Sequence, residues 1–294
     1  MGTFVTLTAF HPSRDEAEEA IGEAFLLIHR LGQELSRHSS SSPLAALNRD
    51  GRLTSPPQSL QHVITRALHW HKRSGGCFDI TVKPIIDLYE GAFADKTVPD
   101  AADIAAATEL TGSQYLRLSR QEIVLDRTGM GVTLDGIAKG YIVDAASNFL
   151  HARGIVNHLV NAGGDMRARG RAAQEKPWTI AIEDPKKKGR YPQVVHMTDG
   201  AIATSGNYEI YYDKERLYHH IVDPASGMSP SAATSATVTA PVVMDADALA
   251  TAAMVLGPQE ATSLIDTLSG CASLLIDPEE QLFPSSSWRV DLRH

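Results

Sequence analysis

The chain predicts an α+β fold, and three observations carry that expectation. Helical spacing of apolar residues dominates the beginning and the end, strand-like runs crowd the middle, and regular strand–helix alternation is absent. No internal repeat is visible and no linker is long enough to part independent units. The organisation expected is therefore one domain over residues 1–294, built from two intimately packed subdomains.

The elements follow in order. Residues 3–10 alternate like a strand. Over 15–35 the residues Ile21, Ala24, Phe25, Ile28 and Leu31 keep helical spacing. Ser39 to Pro43 mark a loop. A second helix is expected over 59–73, where Leu60, Val63, Ile64, Ala67 and Leu68 share a side, and Ser74-Gly75-Gly76 stops it. Residues 99–108 suggest a shorter helix, and 115–118 with 122–126 a small hairpin. A helix over 139–153 ends at Gly154. Residues 155–162 then read as a strand entering Gly163-Gly164-Asp165. Further strands are expected over 178–183, 193–197, 201–204, 217–222 and 234–240. An Ala-rich helix over 244–256, a short helix over 259–268 and a strand over 272–276 complete the chain.

Composition narrows the function. With 27 basic and 35 acidic residues the formal charge is -8, which gives no support to a nucleic-acid surface. The basic run Lys186-Lys187-Lys188-Gly189-Arg190 reads as a solvated loop. Cys77 and Cys271 lack the spacing of a zinc site or a disulfide framework, and leave the redox compartment open. No apolar run is long enough to span a bilayer. The first residues alternate like a strand and lack the positive flank of a signal peptide.

Five segments carry chemistry. Met244 to Leu256 holds Asp245, Asp247 and Thr251 in an otherwise apolar helix. Asp247 and Thr251 lie one turn apart on one face, offering hard oxygens to a magnesium ion or to a hydrogen-bonding partner. Asp135-Gly136-Ile137-Ala138-Lys139-Gly140 places a lysine between glycines at a helix start, which suits a phosphate or a plain tight turn. Asn161-Ala162-Gly163-Gly164-Asp165 permits close approach of a flat or phosphorylated ligand, or a strand-to-turn switch with a capping aspartate. It is neither a GxGxxG fingerprint nor a Walker loop. Thr204-Ser205-Gly206-Asn207 offers hydroxyls and an amide to a substrate, or makes a turn. His219-His220-Ile221-Val222-Asp223-Pro224 combines imidazoles with a carboxylate. His220 and Asp223 could manage a proton if they converge, while the alternative is a buried, hydrogen-bonded histidine.

Taken in order, these segments resemble the ApbE family of FAD:protein FMN transferases. The resemblance begins at Met1-Gly2-Thr3 and runs through Gly75 to Pro84, Gly136 to Asp144, Asn161 to Asp165, Thr204 to Tyr208, His219 to Gly227 and Asp247 to Thr251. It spans nearly the whole chain, and the ordered set is specific although each motif alone is weak. It implies antiparallel sheets with packed helices and an FAD cleft between closely joined subdomains. It further implies that FAD is a substrate, whose FMN portion moves to a threonine of an acceptor flavoprotein with release of AMP. The implied acceptor motif is of the Asp/Ser-Gly-x-Ser/Thr-Thr type, and the implied cofactor is Mg2+. The alternatives are an FAD pyrophosphatase giving FMN and AMP, and a non-enzymatic flavin-binding or delivery protein.

Carried onto these positions, the resemblance implies Asp247, Thr251 and the carbonyl of Ala138 as metal ligands. Lys139, His220 and Asp223 become the candidate catalytic side chains. Met1, Asp79, Lys139, Gly163, Gly164, Asp165, Thr204, Ser205, Gly206 and His220 are the expected FAD contacts. Two positions depart from the family pattern. Asp135 stands where a glycine is usual, and Asn207 where an acidic residue is frequent. Relatives often carry export segments, so the resemblance implies a periplasmic location if such a segment was trimmed, and a cytoplasmic one if Met1 is the native start.

Overall fold

Strands from the start, the middle and the end of the chain build one large sheet, and helices pack against it. The computed structural model describes residues 3–186, 189, 191–208, 211–213 and 218–289; Met1, part of the basic run after Lys186, and Leu217 lie outside the described residues. Seven strands stand in the spatial order β1 (Val5–Phe10), β5 (Asn157–Ala162), β6 (Asp165–Arg169), β9 (Gly200–Gly206), β10 (Ser235–Ala240), β11 (Ala272–Ile276) and β12 (Leu282–Pro284). Every neighbouring pair is antiparallel. A three-stranded sheet joins β2 (Arg52–Thr54), β4 (Glu122–Leu125) and β3 (Leu116–Leu118), and a hairpin pairs β7 (Trp178–Ile182) with β8 (Gln193–Met197).

Four helices run along the large sheet in the order of its strands. α1 (Arg14–Glu34) packs on β1 and on α6 (Ala138–Ala152), and α6 packs on β5 and β6. α7 (Val243–Leu256) packs on β6, β9 and β10, and α8 (Pro258–Asp266) on β11 and β12. α7 is buried around almost its whole circumference, which is why its sequence is apolar on every side. The other helices are α2 (Pro43–Asp50), α3 (Gln58–Arg73), α4 (Lys83–Ala94) and α5 (Ala101–Glu109). α4 and α5 enclose a smaller apolar cluster of Ile85, Ile86, Tyr89 and Ile104, to which the loop residue Val222 contributes. No helix among the described residues is long and apolar enough to cross a membrane.

The α+β expectation agrees with this architecture, with local corrections. Residues 218–222 form no strand: His219 makes one isolated bridge to Tyr211, and Ile221 and Val222 are held by burial rather than by a ladder. Helices α2 and α4 were not expected. Each begins with a proline in its first turn, where the missing N–H costs nothing. Asp165 opens β6 instead of ending a turn, because Gly163 and Gly164 form a two-residue hairpin with φ of 60° and 97°.

A buried histidine ties α6 to β5. His158 Nδ1 donates to the Ile155 carbonyl at 2.6 Å, so Nε2 must accept from the Ser147 hydroxyl at 2.7 Å. Burial lowers its pKa from 6.5 to about 4. The unfolded chain therefore binds a proton that the folded one refuses, and stability falls as pH drops below 6.5 toward 4. Between about pH 7 and about pH 5 the unmodified protein should lose about 2 kcal/mol more than a His158→Gln variant. Urea titrations of both proteins at the two pH values measure the difference.

Candidate active site

Two helices cap each other, and the site grows from that exchange. The N-terminus of α6 has no side-chain cap of its own, and its Gly140 N–H donates to Asp247 on α7 at 3.0 Å. The N-terminus of α7 likewise lacks a local cap, and its Val243 and Met244 N–H groups donate to Asp144 on α6 at 3.0 and 2.9 Å. Each carboxylate meets the positive end of the opposite helix. The exchange demands close approach: a Cβ on Gly140 would sit 2.5 Å from the Val243 carbonyl oxygen and 2.7 Å from the Met244 Cα.

Asp245 faces away from this point. Its carboxylate takes a bidentate pair from Arg66 at 2.5 and 2.6 Å and the Trp70 indole N–H at 2.8 Å, which docks α3 onto α7. The two aspartates of the Ala-rich helix thus have separate tasks. Asp245 fastens the core, and Asp247 enters a cleft.

That cleft has a volume of about 620 Å³, and it gathers segments from along the chain: Asp79, Ala138, Lys139, Gly163, Thr204, Ser205, Gly206, His220, Asp247 and Thr251. Behind its wall Asp165 is fully buried. It receives the Thr204 backbone N–H, lies within hydrogen-bond reach of Asp247, and faces the Lys139 ammonium at 3.2 Å. Burial pushes both carboxyls above the usual carboxylate range. Asp247 is raised further by its repulsion with Asp165, which one ammonium only partly relieves. Thr251 Oγ1 lies 3.3 Å from the Ser205 hydroxyl, and the absence of a Cβ on Gly136 leaves room for that threonine.

Among the described residues no group of three or more His, Cys, Asp or Glu side chains is arranged to hold a metal ion. The donors here are instead one or two carboxylates, the Thr251 hydroxyl and the backbone at Ala138. A hard divalent cation that keeps waters and substrate phosphates as its other ligands fits such an all-oxygen, electron-rich set.

The remaining expected residues divide. Asp79 lines the cleft, but its carboxylate already accepts the Thr81 N–H and hydroxyl at 2.8 and 2.6 Å and the Ser113 N–H and hydroxyl at 3.0 and 2.7 Å. Burial alone would raise its pKa; these donors and His71 outweigh burial and hold it below the ordinary value. Asp223 closes its own turn, accepting from the Ala225 N–H at 3.0 Å and the Ser226 hydroxyl at 2.7 Å. His219 is the buried histidine of the pair, with Nε2 on the Pro230 carbonyl at 2.9 Å and a pKa lowered by burial. His220 instead lines the cleft. Gly164 belongs to the β5–β6 turn, where its N–H meets the Asn161 side chain at 3.0 Å.

One group on the cleft wall has no local sequence signal. Arg37 is nearly buried and pairs with Glu90 at 2.7 Å and Asp135 at 2.9 Å. Burial opposes its charge, but these partners outweigh it and raise its pKa. Asp135 thus anchors the turn before Gly136. Three residues separated by dozens of positions leave no periodic trace by which to find them.

Comparison with known proteins bears on this arrangement. A model of the ApbE family matches residues 1–275. The FAD:protein FMN transferase of Treponema pallidum (strain Nichols) is 31% identical over 293 residues, covering 92% of this chain and 80% of that protein. The solved flavin transferase ApbE from Vibrio cholerae superimposes with a TM-score of 0.84 at 26% identity, covering 98% of this chain and 95% of its own. The ApbE protein from Thermotoga maritima MSB8 gives a TM-score of 0.86 at 26% identity, covering 97% and 94%.

Proposed function

The chain belongs to the ApbE family, and on that premise we propose that its cleft binds FAD and transfers the FMN portion to a threonine hydroxyl of an acceptor protein, releasing AMP. The observation that carries this reading is the convergence of Asp165, Lys139 and Asp247 at the capped start of α6, with Thr251 and Ser205 in the same cleft. Asp247, Thr251 and the Ala138 carbonyl would hold a magnesium ion. Such an ion supplies charge neutralisation at the pyrophosphate when bound.

The residues of the chain act around the phosphates. Lys139 brings an ammonium to the pyrophosphate, and its pairing with Asp165 keeps that ammonium in place. Gly163 and the Thr204–Gly206 end of β9 leave room for a flat or phosphorylated ligand to lie close to backbone. In the reaction the threonine oxygen bonds to the FMN phosphorus and the anhydride bond to AMP breaks. The hydroxyl proton passes to the His220 imidazole, our candidate to receive it. Asp223 supports that step indirectly, by shaping the turn that follows His220.

The test is mass spectrometry of an acceptor flavoprotein domain after incubation with the protein, FAD and magnesium. We expect covalent gain of FMN on one threonine with an equal amount of AMP. Release of free FMN alone would identify a pyrophosphatase, and no cleavage of FAD would leave only flavin binding or delivery.

A further inference from the structure

The two edges of the large sheet are built differently. β12 is three residues long and ends in Pro284, two devices that blunt an edge against further pairing. β1 has six residues, Val5-Thr6-Leu7-Thr8-Ala9-Phe10, with no charge and no proline. Its pairing parity follows from one contact: the Gly163 N–H donates to the Phe4 carbonyl at 3.2 Å, which makes Phe4 and Gly163 a hydrogen-bonded pair. In the continuous register to β5, Thr6, Thr8 and Phe10 then also turn their backbone groups inward to β5. Val5, Leu7 and Ala9 turn theirs outward. Among the described residues no strand pairs with that outer side. Side chains at Val5, Leu7 and Ala9 are only half-buried against the core, as an open edge requires.

This edge starts at the cleft. Thr3 and Gly163 both line the cleft wall, and a Cβ on Gly163 would collide with the Thr3 hydroxyl. Between them and β1 stands Phe4, an aromatic side chain 93% exposed. We infer that the outer edge of β1 is the docking strand for an extended segment of the acceptor protein, whose backbone pairs with Val5, Leu7 and Ala9 and whose next residues reach the cleft past Phe4. The inference rests on the transferase reading above. A segment antiparallel to β1 leaves the strand at Thr3, so the target threonine follows the paired stretch by a few residues. Main-chain pairing supplies affinity with little demand on side chains.

The experiment uses the full chain and a twelve-residue probe peptide of alternating valine and serine that ends in Ser-Gly-Ala-Thr-Thr. Hydrogen exchange is followed over residues 3–10 with FAD and magnesium, before and after adding the peptide. We expect protection of the Val5, Leu7 and Ala9 amides that requires the peptide. We also expect Ala9→Pro, which removes one outward N–H while keeping the β5 ladder, to lower kcat/KM for FMN transfer to the peptide about tenfold. FAD cleavage to water should be unchanged in that variant. Unaltered exchange at these amides with peptide present would overturn the inference, as would wild-type transfer by Ala9→Pro. Protection that rises with protein concentration alone would also overturn it, assigning the edge to a second copy of the chain. If the unmodified protein transfers no FMN, the transferase reading fails. The exchange measurement then still decides whether β1 docks an extended peptide.

Discussion

Replacing Asp247 with asparagine is expected to lower FAD turnover by about a thousandfold while leaving FAD bound. The amide keeps an oxygen for the Gly140 N–H, so the cap on α6 survives. What disappears is a negative charge inside the cleft, where neutral oxygens from Thr251 and the backbone cannot replace it. The same change removes a carboxyl that burial and Asp165 both oppose. The FAD-free variant should therefore unfold at a temperature no lower than the parent, the usual opposition between stability and function at an active site. Turnover measured by AMP release, FAD affinity by flavin fluorescence, and a thermal melt together test the assignment. Unchanged turnover would remove Asp247 from the reaction. Lost turnover with retained binding would exclude a protein that only carries flavin.

Gly140→Ala should destabilise the fold by about 3 kcal/mol and reduce turnover with it. Alanine is the better helix former, and in α1 the substitution Gly22→Ala, which meets nothing within 4 Å, should stabilise by about 0.5–1 kcal/mol. At Gly140 the new methyl meets backbone atoms of Val243 and Met244, which cannot swing aside as a side chain would. α6 and α7 must separate, weakening both carboxylate caps and shifting Asp247 relative to Lys139. Urea denaturation of the two variants side by side reads the contrast. Equal and small effects at both glycines would show that the helix pair yields more easily than its packing implies.

Much of the architecture was legible because local periodicity is a local property. Apolar spacing over 15–35 and 59–73 found α1 and α3, and alternation found β1, β5, β7 and β10. Pro43 closes the Ser-rich loop signal of the sequence, yet proline in a first turn is compatible with a helix, and both α2 and α4 carry one there. β6 was missed since Arg167 and Arg169 give it little apolar alternation. The run before Asp223 ends in β-branched, apolar residues, yet Val222 is buried in the cluster of α4 and α5 and Ile221 in that of α7, α8, β10 and β11, without joining a ladder.

The site shows the same division. Oxygen-bearing side chains at Asp247 and Thr251 were visible as exceptions within an apolar helix, and helical geometry alone placed them on one face. So were the lysine at a glycine-flanked helix start and the glycine pair that turns into Asp165. Taken by itself, the order of residues determined the fold class, most elements and the chemical kinds of group available. Only the tertiary structure decided their partners. It sent Asp245 to Arg66 and Asp247 to the head of α6, closed Asp223 on its own turn, and bound Arg37 to Glu90 and Asp135. The reason is physical: backbone periodicity sets the face on which a side chain projects, whereas the group it meets there is set by long-range packing.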